Sequence, residues 1–96
     1  MKNLVWSPTF VRAFKRVVKK NPELRSQIEQ VLQQIAEDPF QLSLRSHKLK
    51  GDSLGRYSCS CSIDYRNRIL FKFVTNPESG EEEILLLTLG SHDDVY

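Results

Sequence analysis

Six residues near the end of this 96-residue chain, Ile84-Leu85-Leu86-Leu87-Thr88-Leu89, form an apolar run through which no polar face can be drawn. A segment this short and this uniformly apolar reads as a strand buried within a sheet rather than one half-open to water. Whatever the rest of the chain does, it has to cover this strand. Gly90 is the only hinge between the run and the ending Ser91-His92-Asp93-Asp94-Val95-Tyr96, so His92 and Tyr96 are delivered to the edge of that sheet.

A chain of this length supports one compact core and not two, and residues 1–96 are read as a single domain. No window approaches the ~20 consecutive apolar residues of a membrane span. The opening Met1-Lys2-Asn3-Leu4-Val5-Trp6 lacks the apolar stretch of a secretory signal, which makes a cytoplasmic protein with no membrane partner the expectation. Net charge is only +2, but its distribution is uneven. All 14 Lys and Arg residues lie between Lys2 and Lys72, where only six acids accompany them; the six acids from Glu78 onward meet no base. Such asymmetry suits a polyanion or an acidic protein as partner of the first part, although basic helix faces are also commonly just solvated.

The order of elements follows from punctuation and period. Residues 3–6 make a short strand, stopped by Ser7-Pro8, a serine cap with proline at the first helical position. A helix then runs to about Lys20, with Phe10, Phe14, Val17 and Val18 on one stripe. Asn21-Pro22 reads as a second cap-and-proline start, after which Leu24, Ile28, Val31, Leu32 and Ile35 keep helical spacing until Asp38-Pro39. Residues 40–55 lose periodicity and read as an exposed loop. Tyr57, Cys59, Cys61 and Ile63 then alternate with Ser58, Ser60 and Ser62, the clearest strand in the chain. A turn at residues 64–67 leads into a strand with Ile69, Phe71 and Phe73 on one side and Arg68, Leu70, Lys72 and Val74 on the other. Asn76-Pro77-Glu78-Ser79-Gly80 turns the chain into the apolar run. The expected fold is α+β: two antiparallel N-terminal helices packed on one face of a four-stranded, mainly antiparallel sheet. Its other face would carry Arg68 against the serine side of the neighbouring strand.

Chemistry concentrates in few places. His47 stands in the loop His47-Lys48-Leu49-Lys50-Gly51 among lysines, and the chain's other histidine is His92. Two imidazoles beside ammonium groups suit proton transfer next to a phosphate, since one can take a proton while the other gives one. Blander readings stand beside this one: a surface His47, a strand-end contact for His92, Arg68 paired with Glu82 or Glu83 across the sheet, and a frayed Tyr96. Cys59 and Cys61 read as reduced thiols packed as small hydrophobes, and their spacing with the histidines matches no common zinc pattern.

Taken together, the opening strand, the helical pair, the residue 47–51 loop, the Arg68-Ile69-Leu70-Phe71 strand and the ending Gly-Ser-His-Asp-Asp-Val-Tyr resemble the RelE/ParE superfamily of toxin–antitoxin toxins. Within it, the likeness is to the ribosome-dependent RNA endonucleases typified by RelE and YafQ. YafQ-like members carry histidines at the places of His47 and His92 and an aromatic at that of Tyr96; RelE-like members carry an arginine where Arg68 stands. The chain also departs from both. The further YafQ-like histidine is missing from the strand at Ser60 to Ser62, and so are the RelE-like lysines near Cys59 and Cys61; Asp64 or Arg66 would have to compensate.

The resemblance implies a RelE-like microbial RNase fold and cleavage of messenger RNA in the ribosomal decoding site. The ribose 2′-hydroxyl would attack the adjacent phosphate and leave a 2′,3′-cyclic phosphate, with no metal or other cofactor. In that scheme His47 is the base, and Arg68 with Lys48 or Lys50 holds the phosphorane oxygens, with Arg66 as a further substrate contact. His92 is the acid and Tyr96 stacks on a base or orients the phosphate. Implied partners are a cognate antitoxin, the ribosome with its mRNA, and promoter DNA reached only through the toxin–antitoxin complex. Two alternatives stay open: a ParE-like toxin acting on DNA gyrase, whose relatives generally lack the paired histidines, and a decayed toxin serving as an antitoxin-bound co-repressor.

Overall fold

Ser7 begins the first helix as its sequence requires. In the computed structural model, which describes residues 1–49, 55–60 and 67–91 and, of His47, Ser60 and Ser91, the backbone only, strand β1 (Leu4–Trp6) leads into helix α1 (Pro8–Lys20). The Ser7 hydroxyl accepts from the Phe10 amide at 3.0 Å, satisfying one of the amides a helix start leaves unpaired. Helix α2 (Leu24–Glu37) follows, but it does not start as the sequence suggested. Asn21 closes α1 instead, its amide donating to Val17 O, and the Asn21 carbonyl accepts from Leu24 N at 3.0 Å in the connecting turn. The Asn-Pro pair is therefore a turn between helices, and α2 begins two residues beyond the proline without a side-chain cap.

After α2 come a 3₁₀ turn (Leu42–Leu44) and strands β2 (His47–Lys48), β3 (Arg56–Ser60), β4 (Asn67–Thr75) and β5 (Glu82–Ser91). They form one sheet in the order β1-β5-β4-β3-β2, in which β1 runs parallel to β5 and every other pairing is antiparallel. The four expected strands are joined by a fifth of two residues, β2, which falls within the stretch read from sequence as loop. That stretch also buries Leu44, at 1% exposure, under the helices. Its lack of period is that of a short 3₁₀ turn feeding an edge strand.

The apolar run lies where a run without a polar face belongs, in β5, between β1 and β4. Both helices cover one face of the sheet. Phe10 and Ala13 of α1 and Ile28, Leu32 and Ile35 of α2 form a core with Cys59 of β3, Ile69 and Phe71 of β4, and Ile84, Leu86 and Leu89 of β5. Trp6 on β1 meets Phe10 and Phe14 edge-on, at centroid separations of 5.0 and 5.3 Å.

The core residues of β5 break a period of two, passing from Leu86 to Leu89. The register explains the jump. Leu70 pairs with Thr88 and Phe71 with Leu86, so Leu87 is an extra residue, a β-bulge. Its carbonyl is held by the hydroxyl of Ser7 at 3.1 Å, while the Ser7 amide donates to Leu86 O at 3.2 Å. One serine therefore caps α1 and supplies the partner that the bulge takes from the ladder. Beyond it the alternation of β5 is reversed: Leu89 enters the core, and Thr88 and Gly90 turn to the second face.

Candidate functional site

On the second face, residues of β3 and β4 that pair directly point the same way. Ser58 opposes Leu70, Ser60 opposes Arg68 and Arg56 opposes Lys72, so Arg56, Ser58, Arg68 and Lys72 share the side away from the helices. Arg68 is anchored at two points. Its Nε donates to Ser58 Oγ at 2.6 Å, one step diagonally across the ladder, and its Nη2 donates to the Arg45 carbonyl at 3.3 Å. Ser58 is fully buried, so its oxygen gives the guanidinium a fixed stop rather than a mobile surface contact. A planar fork held at one edge keeps its other N–H groups oriented, the arrangement a bidentate phosphate contact needs.

The carbonyl that receives Nη2 is positioned by an uncommon backbone. Arg45 follows the 3₁₀ turn with φ 50°, a left-handed conformation that costs a non-glycine residue about 1–2 kcal/mol. Its amide donates to Leu42 O at 3.2 Å, which fixes the turn.

His47 enters the same neighbourhood through register: it pairs with Ser58, the residue that holds Arg68. On the far side of β4, Arg68 pairs with Gly90, and His92 lies two residues further along the chain. Ser58 and Gly90 thus flank Arg68 from two strands. Lys48 is placed differently. It pairs with Tyr57, whose ring stacks on Phe71 at 5.7 Å and meets Phe73 edge-on at 5.4 Å, so by alternation Lys48 belongs to the helix side of the sheet edge, away from Arg68. Lys50, Arg66, His92 and Tyr96 lie outside the described residues.

The duller reading of Arg68 does not hold. Val74 and Thr75 are the residues that face Glu83 and Glu82, and those carboxylates engage other groups. Glu82 pairs with Lys2 at 2.9 Å, and Glu83 accepts from Asn3 and Asn76 at 3.3 Å each.

Cys59 points into the core and is a free thiol with no exposed surface. Burial pushes it up from 9.0 to about 12, opposed by the nearby Arg68 charge and by contacts with the Ile69 backbone and Ser46. A thiol so protonated and enclosed is neither a nucleophile nor a metal ligand at neutral pH. Among the described residues, no group of three His, Cys, Asp or Glu side chains is arranged to hold a metal ion.

Sequence reasoning missed two residues here. Ser58 was visible as part of a shallow hydroxyl face, but that it orients Arg68 depends on a strand pairing ten residues away in sequence. Arg45 contributes through its backbone, and a backbone acceptor leaves no trace in residue identity.

No protein-family model matches the chain, and no curated protein is similar to it in sequence. Solved structures do match, over nearly the full length of both chains. The YoeB/ParE toxin from Agrobacterium tumefaciens superimposes with a TM-score of 0.73 at 18% identity, covering 96% of this chain and 99% of that one. The DinJ-YafQ toxin–antitoxin complex from E. coli gives 0.74 at 11% identity, covering 99% and 97%. A metal-bound toxin from Helicobacter pylori gives 0.70 at 22% identity with complete coverage of both chains. The chain has the fold of the RelE/YafQ-like toxins.

Proposed function

We propose that this protein is the toxin of a type II toxin–antitoxin pair, an endoribonuclease that cuts messenger RNA in the ribosomal decoding site. The observation that carries the reading is Arg68, locked by the Arg45 carbonyl and by Ser58, the residue that pairs with His47, on the sheet face away from the helices, in a fold shared with YoeB and YafQ toxins.

The proposed step keeps its nucleophile inside the substrate. The 2′-hydroxyl loses its proton to His47 and its oxygen bonds to the adjacent phosphorus. The P–O5′ bond breaks, and His92 protonates the departing 5′-oxygen. A 2′,3′-cyclic phosphate and a 5′-hydroxyl end remain. The Arg68 guanidinium bears on the non-bridging oxygens, where charge builds as the phosphorane forms, and it is oriented before substrate arrives. Tyr96 stacks on or orients the flanking nucleotide, and Lys50 and Arg66 add positive charge. Lys48 joins them only by reaching around the β2 edge. DNA has no 2′-hydroxyl and escapes this chemistry.

The partner in this reading is an antitoxin, with promoter DNA bound only by the two together. A groove of about 470 Å³ lined by Trp6, Phe14 and Val18, with Lys15 and Lys19 beside it, offers an acidic amphipathic segment both apolar floor and opposite charge. No described helix is long and apolar enough to cross a membrane.

The test is cleavage of a message on programmed ribosomes, with the new ends assayed for cyclic phosphate. His92→Ala should slow cutting by roughly 10²–10⁴-fold. Intact message in the presence of wild-type protein, together with inhibition of gyrase supercoiling, would replace the nuclease reading with a gyrase poison.

A further inference from the structure

Helix α1 carries five exposed cations, Arg12, Lys15, Arg16, Lys19 and Lys20, and neither Asp nor Glu. Among the described residues none of the five meets a carboxylate, whereas Lys2 and Arg25 each do. At four-residue spacing three like-charge pairs result, Arg12 with Arg16, Lys15 with Lys19 and Arg16 with Lys20, and pairs of that kind weaken a helix. Lys19 and Lys20 are partly accounted for by the last turn, whose unpaired carbonyls favour cations. Arg12, Lys15 and Arg16 lie before that turn and gain nothing from it.

At about 3.6 residues per turn the five fall into two groups. Lys15 and Lys19 border the groove with Phe14 and Val18, whose apolar floor suits a polypeptide. Arg12, Arg16 and Lys20 form a separate row on the other flank beside Thr9, whose hydroxyl accepts from Arg12 Nη2 at 3.4 Å. No apolar residue lies in this row, so it offers a partner charge and hydrogen bonds but no pocket for an anchoring side chain. Its members stand about 6 Å apart along the helix axis, which lets each meet a separate phosphate of one nucleic-acid strand. The row is remote from the message proposed to bind at Arg68. Phe10 and Ala13 pack α1 onto the opposite face, so a packed layer of about 10 Å and the sheet itself lie between.

Resting on the nuclease reading, we infer that Arg12, Arg16 and Lys20 dock the protein on the backbone of folded ribosomal RNA, on the side of the sheet away from the message. The two cationic surfaces then serve two strands at once: Arg68 takes the linkage to be cut, and the α1 row takes phosphates that are never cut. The row contributes affinity for the ribosome and takes no part in the chemistry. Filling it offsets the repulsion that α1 carries when free.

The experiment measures message cleavage on programmed ribosomes over a range of salt concentrations. It compares wild-type protein, a neutral variant (Arg12→Gln, Arg16→Gln and Lys20→Gln together) and a charge-keeping variant (Arg12→Lys, Arg16→Lys and Lys20→Arg together). Gln is a good helix former, so the neutral variant should melt with the wild type or above it. Its KM should rise about 10-fold or more with kcat kept, and the slope of log KM against log salt should fall by about two, the share of three lost phosphate contacts. The charge-keeping variant should match wild type in both. An unchanged KM in the neutral variant, or a charge-keeping variant as weak as the neutral one, overturns the docking surface and leaves the nuclease reading intact. If the KM is unchanged while an acidic, leucine-bearing helical peptide has lost affinity for the neutral variant, the row belongs to a polypeptide partner instead. Wild-type protein that cuts no message overturns both.

Discussion

Strand β4 is two surfaces in one segment. Ile69 and Phe71 on one side are fully buried beneath the helices, and Phe73 packs beside them; Arg68 and Lys72 on the other side carry charge toward the second face. The helix side is redundant. Tyr57, Phe71, Phe73 and Phe40 touch in a chain of ring contacts between 5.4 and 6.0 Å, and the loss of one leaves the others in place. The second face depends on specific polar contacts, such as the Ser58 hydroxyl and the Arg45 carbonyl that hold Arg68. Stability therefore resides on the first surface and the proposed chemistry on the second, and substitutions on neighbouring residues of the strand should separate them.

The largest expected effect is on the helix side. Phe71→Ala should lower the free energy of unfolding by about 3–5 kcal/mol, read from urea melts, because a fully buried ring leaves a cavity. On the nuclease reading, Arg68→Ala should reverse the weighting, slowing message cleavage by about 10²–10³-fold while costing about 1–3 kcal/mol in the same melts, for the buried Ser58 hydroxyl that loses its partner. A stability loss as large as that of Phe71→Ala would show that the guanidinium is part of the core's support, and the division between faces would fail.

A smaller effect tests the joint between the surfaces. Ser7→Ala removes a helix cap and the partner of the Leu87 carbonyl together, and should cost about 0.5–2 kcal/mol in the same melts. The smallest concerns Cys59. Unfolded, its thiol loses a proton near 9.0; folded, it holds that proton to about 12. Its stabilising contribution is complete below the lower value and is lost as pH climbs through the interval between the two. Urea midpoints should fall more steeply above pH 9 for wild type than for Cys59→Ala, and iodoacetamide should leave native Cys59 unlabelled. Rapid labelling without unfolding would contradict its burial.

What could be read from the sequence divides along the same line. The first helix was legible from the Ser7-Pro8 pair and the Phe10–Phe14 spacing, and β3 and β4 from strict alternation, because those signals are local. Asn21-Pro22 misled, since an Asn-Pro pair suits a turn as well as a cap. The bulge was invisible: with apolar residues at nearly every position of 84–89, a half-period slip changes no hydrophobic pattern. Arg68 and the serine face beside it were recognised from residue type and alternation, but which serine holds it, and the part of the Arg45 carbonyl, were not. Ser58 and Arg45 reach it through pairings 10 and 23 residues distant, and periodicity carries no information at that range. Lys48 was grouped with His47 by adjacency, whereas in a strand adjacent residues point apart.

The bulge at Leu87 leaves the two halves of β5 half a step out of phase, and the residue that keeps them so stands eighty positions earlier, at the first helix. An insertion or deletion between Leu86 and Leu89 would exchange inside for outside in everything that follows on the strand, sending Leu89 to water and Gly90 into the core. Length at this one point is thus constrained more tightly than composition: leucine could become isoleucine or valine there at little loss, but the count could not change by one. A serine near the start of the chain holds the orientation of its end.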